Sequence, residues 1–517
     1  MKLNYKRTIL VGFAFFLISA FWQAYDATIP VILTNKFGMS QTASGIIMAL
    51  DNILAVFMLP LFGALSDKCR SKQGKRTPFI TIGTIIAAVA LVALSFVDNA
   101  QLKNITDISA IDDPAALSVI YEQQKDATLQ TPEGEEFVLG QVFSEETFAG
   151  ITSQITLDSG KKITNPDYTN YVVPARQAYA AVATATQPVT LILFIALLLA
   201  VLIAMAIFRS PAVALMPDVT VKPLRSKANA IINLMGTAGG ILVLVLGMVF
   251  ATSAVKNAMM NYTVYYGIIA AIMLGALAIF RLTVREPQWS AQMQEDSIRL
   301  GIDETEPEDV GEKRRLSSAE KRSLFLILAS IALWYIGYNA VTSKYSLYAS
   351  SVLGMDYNST LLLAQAAAII SYLPAGIVAS KIGRKKTILA GVVMLSTAFA
   401  VAAFMRAGSS PLLMNVLFAL AGIGWATINV NSFPMVVEMC SGADIGKYTG
   451  FYYTASMAAQ IVTPVFSGYL MDQMGMVILF PYAAVFAALA FVTMFFVKHG
   501  DSKAPTKPAL ETFDVED

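Results

Sequence analysis

Asp26 and Asp51 each interrupt a long apolar stretch, and no other carboxylate does so as deeply. A charge near the bilayer centre costs about 2.5–3.5 kcal/mol on insertion scales, so an acid there is a functional candidate by default. Asp26 falls about five residues past the middle of its stretch and Asp51 about three before the middle of the next; at about 1.5 Å per residue both sit roughly 4–8 Å outside the midplane. If the two face one another, desolvation and repulsion keep them from both staying charged, and one holds a proton that it can load and release. Reversible protonation is the predicted chemistry. His499, Cys69 and Cys440 are the only imidazole and thiols, so no zinc cluster, disulfide framework or Cys/His dyad is predicted, and no metal or organic cofactor.

The elements that position these acids follow from composition. The chain has 517 residues, 56% hydrophobic and only 14% charged, with a mean hydropathy of +0.59, whereas globular domains carry about 25% charged residues. A soluble enzyme and an enzyme with one membrane anchor are both excluded. Apolar runs long enough to span a bilayer fall near residues 8–33, 43–65, 77–97, 188–209, 227–251, 263–284, 323–346, 357–380, 386–405, 411–436, 447–470 and 476–497. The first lacks a small-residue cleavage site and is expected to be retained as a helix. With both termini cytoplasmic, 28 of the 37 Lys and Arg lie inside and 9 outside, which selects that topology by the positive-inside rule. The expected location is the cell membrane, and the expected state a monomer.

Three segments lie off the membrane. Residues 98–186 hold 13 acidic against 5 basic residues and form an expected extracellular insertion. In it Asp112-Asp113-Pro114 predicts a helix start, Asp158-Ser159-Gly160 a hairpin turn, and Asn165-Pro166 a helix running on into the fourth span. Residues 285–322 form a cytoplasmic link with a surface helix from Pro287 to Leu300, an acidic run from Asp303 to Glu312, and a capping box, Ser317-x-x-Glu320. Residues 498–517 read as a solvated cytoplasmic tail.

An internal repeat orders the spans. Trp22 and Trp334 are 312 apart, and Gly63-x-x-x-Asp67-Lys68 returns 313 later as Gly376-x-x-x-Ser380-Lys381. Pro211 and Pro434 are only 223 apart, a deficit of 90 that matches the 98–186 insertion. The predicted fold is all-α, two six-helix pseudo-repeats, with residues 1–97 and 187–284 in the first half and 323–497 in the second. Such halves place a midplane site between them and work by rocking.

The chain resembles the major facilitator superfamily at its loops. Gly63-Ala-Leu-Ser-Asp67-Lys68-x-Arg70-x-Lys72-x-Gly74-Lys75-Arg76-x-Pro78-Phe79-Ile80 is similar to the loop after helix two in sucrose:proton symporters and related glycoside-pentoside-hexuronide:cation symporters. Arg209-Ser210-Pro211, Pro217-Asp218 and Arg225-Ser226-x-Ala228-Asn229 resemble the loop between helices four and five. The resemblance implies a cytoplasmic gate comprising Gly63, Asp67, Lys68, Arg70, Gly74, Arg76, Asp218 and Arg225, with Lys381, Arg384 and Glu438 as its counterpart in the second half. It also implies a small-molecule substrate, a sugar. Where the melibiose-type branch has cation-binding carboxylates on helix two, this chain has Ala55 and Leu59, so protons are favoured over sodium.

A sugar needs hydrogen-bonding groups for its hydroxyls and flat apolar faces for its ring. Trp22, Gln23 and Tyr25 in helix one, Asn52 in helix two, Trp334, Tyr338 and Asn339 in helix seven, Gln365 in helix eight, Trp425 and Asn429 in helix ten, and Gln460 in helix eleven are the predicted set. Lys344, near the outer end of helix seven, is expected to snorkel to the interface. No phosphate-cradling loop for a primary pump is present, and nucleic acid is not an expected partner. The expected function is proton-coupled sugar symport by alternating access. The rivals are a proton-driven exporter of amphiphilic compounds and a non-transporting receptor that binds an extracellular partner through 98–186.

Overall fold

A computed structural model describes residues 3–156, 162–221, 224–299, 316–437, 439 and 445–500. Twelve long helices run through the described residues: one (Tyr5–Asn35), two (Gln41–Asp67), three (Thr77–Asn104), four (Val189–Asp218), five (Arg225–Val249), six (Thr263–Thr283), seven (Ser318–Tyr348), eight (Tyr357–Ile382), nine (Arg384–Ala402), ten (Pro411–Val437), eleven (Ile445–Met474) and twelve (Leu479–Phe495). Ten helices among the described residues are long and apolar enough to cross a membrane.

Local sequence explains their limits. Asn4 caps helix one by accepting from the Arg7 N–H, Asp356 caps helix eight, and Ser317 with Glu320 closes the predicted box before helix seven. Pro78 sits at the first turn of helix three, where no N–H is needed. Pro30, Pro60, Pro211, Pro217, Pro374, Pro434 and Pro464 lie inside helices, which neighbouring helices make tolerable in a membrane.

The chain divides into two compact units, the first being Met1–Ser40, Leu50–Thr131 and Glu136–Pro307, the second Gln41–Ala49, Pro132–Glu135 and Glu308–Asp517. Within the first, helix one packs on helices five and six, and helix three on helices four and six. Within the second, helix seven packs on eleven and twelve, and helix nine on ten and twelve, so the pairing pattern recurs as the repeat requires. Glycines allow the closest approaches: a Cβ at Gly239 would meet the Phe16 carbonyl, and Gly391 and Gly424 face each other's carbonyls. These boundaries depart from the predicted halves. Gln41–Ala49 fall in the second unit because the Asp472 carboxylate caps the start of helix two, accepting from the N–H groups of Gln41 and Thr42 at 2.7 Å each and from the Thr42 hydroxyl.

Helix three continues past residue 97 to Asn104, so the insertion proper begins later than predicted. Asp113 caps a helix over Pro114–Gln124, as its sequence predicts. Strands β1 (Thr128–Gln130) and β2 (Glu136–Val138) pair antiparallel, Leu129 opposite Phe137. Strands β3 (Gln154–Thr156) and β4 (Lys162–Thr164) pair around the predicted turn, whose Asp158-Ser159-Gly160 lies outside the described residues. The helix after Asn165-Pro166 does not run into the fourth span: it ends at Thr186, and Gln187-Pro188 breaks the chain direction before helix four. Leu117, Ile120, Phe137, Phe148, Tyr168 and Val172 form a core of the insertion's own, joined by Val255 and Met259 from the loop between helices five and six. Arg176 is buried and donates to the carbonyls of Ile108, Ala110 and Ile111 and to the Tyr168 hydroxyl. Burial pushes the Tyr168 hydroxyl up to about 12.

At the insertion's root, Lys36 and Asp98 make a fully buried ion pair at 2.7 Å, and Lys36 also donates to the Met260 carbonyl at 2.8 Å. Removing either partner would leave a buried charge unanswered. The link helix covers Glu286–Arg299, starting one residue before the predicted Pro287, while Leu300 and the acidic run from Asp303 to Glu312 lie outside the described residues.

Candidate functional site

In the first unit helix one presents Trp22, Gln23, Tyr25 and Asp26 within two turns, and helix two presents Asp51 and Asn52. Asp26 and Asp51 are close enough for their charges to interact, with the Tyr25 hydroxyl near both. Asn52 Nδ2 donates to Asp51 Oδ1 at 2.7 Å, so this amide serves the carboxylate first. Trp22 packs edge-on against Phe21 and Tyr25, with centroids 5.2 and 5.4 Å apart. Burial leaves the Trp22 Nε1 and Tyr25 hydroxyl without a partner among the described residues.

A residue outside the predicted set completes this group. The Arg209 guanidinium lies 5.6 Å from the centre of the Trp22 ring and interacts electrostatically with Asp51. In sequence Arg209 marks the end of an apolar run, followed by two prolines that read as a helix end. Helix four instead continues through Pro211 and Pro217 to Asp218, which carries Arg209 into the helix body. The cluster therefore holds two carboxylates and one guanidinium.

In the second unit Tyr338 stacks on Trp425 with ring centres 3.6 Å apart and planes 2° from parallel, and Tyr335 meets the same indole edge-on. Asn339 offers an amide whose Nδ2 is buried without a partner among the described residues. Gln460 Nε2 donates to the Ser456 carbonyl at 3.2 Å, and Gln365 and Asn429 are half-buried. Trp334 is corrected by the structure: it is wholly buried inside its bundle, so its ring has no face left for a ligand. Its repeat partner Trp22 remains half-exposed. Lys344 is corrected too: it does not snorkel but is fully buried, its Nζ donating to the Gln41 carbonyl at 2.8 Å.

The gate residues are sorted by geometry. Arg76 carries the connection: it binds Asp67 at 2.5 Å and Asp218 at 2.7 Å, and reaches Ser66 and the Gly63 carbonyl. Burial alone would lower its pKa, but the two carboxylates turn the shift upward and keep it charged. Lys68, Arg70, Lys72 and Lys75 are exposed, as the positive-inside rule requires of loop cations; the cation that binds Asp67 is Arg76. Gly63 fits against helix four, where a Cβ would press on the Ser210 hydroxyl.

Glu286, another residue outside the predicted set, accepts from the N–H groups of Lys75, Arg76 and Thr77 at 2.6, 2.9 and 2.8 Å and from the Thr77 hydroxyl at 2.7 Å, capping helix three. Gly74, at φ +108°, is obligatory beside it, since a Cβ would overlap the Glu286 carboxylate. The local signal for Glu286 was weak, because its partners lie some 210 positions away. In the second unit Lys381 is exposed and Arg384 half-buried. Glu438 and the side chain of Arg225 lie outside the described residues.

Comparison with known proteins agrees with this architecture. The profile described as "Major Facilitator Superfamily" matches residues 177–371 and 359–515, and "MFS/sugar transport protein" matches residues 10–102. The "MFS-type transporter ppzB" of Metarhizium rileyi is 29% identical over 31% of this chain and 33% of its own length. "Sucrose transport protein SUC3" of Arabidopsis thaliana is 36% identical over 13% of this chain and 11% of its own. The chain thus matches a third or less of the length of these curated relatives. Among solved structures, the inward-open xylose transporter XylE from E. coli superposes with a TM-score of 0.56 at 14% identity over 99% of this chain and 100% of that one. A bacterial homologue of the iron transporter ferroportin gives 0.58 at 11% identity over 96% and 99% of the two chains, so these likenesses are of fold. With profile matches over more than half of its length, this multi-pass membrane chain belongs to the major facilitator superfamily.

Proposed function

We propose that this secondary transporter is a proton-coupled symporter of a sugar or glycoside, working by alternating access. The observation that carries the reading is the chain of charges in the first unit, in which Asp26 interacts with Asp51, Asp51 with Arg209, and Arg209 faces the Trp22 ring. Two ionised carboxylates and one guanidinium carry one negative charge in excess. A proton taken by either acid cancels that excess, and losing it restores the attraction to Arg209. The cluster thus has two electrostatic states that a proton gradient can drive. The Tyr338–Trp425 stack and the Asn339, Gln365, Asn429 and Gln460 amides supply flat faces and hydroxyl-binding groups suited to a sugar. The partial matches to sugar and sucrose transport proteins support the same substrate class. The proposed orientation keeps both termini in the cytoplasm and residues 98–186 outside.

The test uses proteoliposomes with a pH dye inside and a panel of mono- and disaccharides added outside. A transported sugar should acidify the lumen, with Asp26→Asn and Asp51→Asn each lowering the proton signal at least tenfold while sugar-dependent thermal stabilisation persists. Proton movement unchanged in the Asp26→Asn/Asp51→Asn double variant would refute the coupling role. Thermal stabilisation by amphiphilic drugs alone would refute the sugar.

A further inference from the structure

Tyr25 stands in the set predicted to bind sugar, yet its surroundings in the first unit suit another task. Its ring is 3% exposed and packs against Phe21, with centres 6.0 Å apart, and against Trp22 at 5.4 Å. A ring so covered has no face to offer a ligand. What it presents is its hydroxyl, which is buried without a hydrogen-bond partner among the described residues. That hydroxyl interacts electrostatically with Asp51, Asp26 and Tyr266. An unmet donor inside a protein is costly, and a carboxylate acceptor nearby removes the cost.

Neighbouring groups have tasks of their own. Asn52 Nδ2 serves Asp51 Oδ1 at 2.7 Å. The Arg209 guanidinium lies over the Trp22 ring, and its charge acts on Asp51. Tyr266 is wholly buried and stacked on Tyr262, and its hydroxyl lies 2.7 Å from Thr28 Oγ1. Thr28 gives its one hydrogen to the Ala24 carbonyl at 2.6 Å, so Tyr266 is the donor in that pair and its hydrogen is spent. Tyr25 keeps a hydroxyl hydrogen to give. The titratable side chains that the surrounding elements supply are Asp26 on helix one, Asp51 on helix two, Arg209 on helix four, and Tyr262, Tyr265 and Tyr266 at the start of helix six. Helix three carries none between Thr77 and Val97, and helix five none between Ala228 and Val249.

We propose that Tyr25 is a positioning residue of the proton site, whose hydroxyl donates to the carboxylate that Asp26 or Asp51 becomes on losing its proton. This rests on the proton-coupling reading of the cluster. A hydrogen bond made to the ionised form favours release of the proton. The bond forms and breaks with each proton, so Tyr25 sets the pH at which the cluster loads. Its strength corresponds to about tenfold in proton affinity.

The test is a pH titration of the buried carboxyl groups by infrared difference spectroscopy on the full-length protein in liposomes. Asp26→Asn and Asp51→Asn assign the carboxyl bands. In Tyr25→Phe the pH at which the responding band is half lost should rise by about one unit, because the ionised form has lost a donor. With 3-fluorotyrosine in place of Tyr25, whose more acidic hydroxyl is a stronger donor, that pH should fall below the parent value. Equal midpoints in the three proteins overturn the proposal. So does a shift of the same sign in both substitutions, which is what altered packing alone would give. If Tyr25→Phe does not fold, the 3-fluorotyrosine protein decides by itself, since it keeps both ring and hydroxyl: a lower midpoint supports the bond, and an unchanged or higher one refutes it. Sugar-driven proton movement is measured on the unaltered protein. A parent that moves no sugar counts against the transport reading, while the band midpoints still decide the role of Tyr25.

Discussion

At the residue scale, what was readable was cost. Asp26 and Asp51 stand out because a carboxylate in hydrocarbon is expensive wherever it occurs, and no neighbour need be known to say so. Arg209 meets the same criterion once the helix around it is seen to continue past its prolines. Glu286 does not: its role comes from four hydrogen bonds to a helix start far off in sequence. Glu286→Ala should remove a charged cap and lower stability by about 1–3 kcal/mol, with Glu286→Gln losing less because it keeps an acceptor. Thermal unfolding in detergent measures this, and a midpoint unchanged by Glu286→Ala would mean that water replaces the carboxylate at no cost.

At the element scale, periodicity and caps located the helices and the insertion's local turns, because these depend on residues within a few positions. Whether the segment after Asn165-Pro166 joins helix four could not be read this way. A helix pattern can pass through a proline, and here Gln187-Pro188 turns the chain. The insertion's core is likewise non-local, since Ile105, Phe148 and Tyr168 meet only when it folds. Arg176 ties that core together by donating to the carbonyls of Ile108, Ala110 and Ile111. Arg176→Met should cost at least about 3 kcal/mol, because hydrogen bonds to a charged group are worth about 1.5–3 kcal/mol each. The expected result is rapid proteolysis within 98–186 while the membrane helices stay protected; equal digestion rates would show the guanidinium to be dispensable.

At the scale of the whole molecule, the charge asymmetry predicts orientation. Ser109→Cys in the insertion should react with an impermeant maleimide on intact cells and Lys498→Cys only after permeabilisation, in the Cys69→Ser/Cys440→Ser background; the opposite pattern would invert the topology. Composition alone determined that this is a polytopic membrane protein, and spacing alone found its repeat and its insertion, because hydrophobic length and sequence register are one-dimensional quantities. The tertiary structure decided which charges meet: that Arg76 rather than its neighbouring lysines binds Asp67 and Asp218, that Lys344 is buried, that Trp334 is enclosed while Trp22 faces a guanidinium, and that four residues of the insertion belong with the second unit. Electrostatic and packing energies fall off over a few ångströms, and partners hundreds of residues apart reach that range only when the chain is folded.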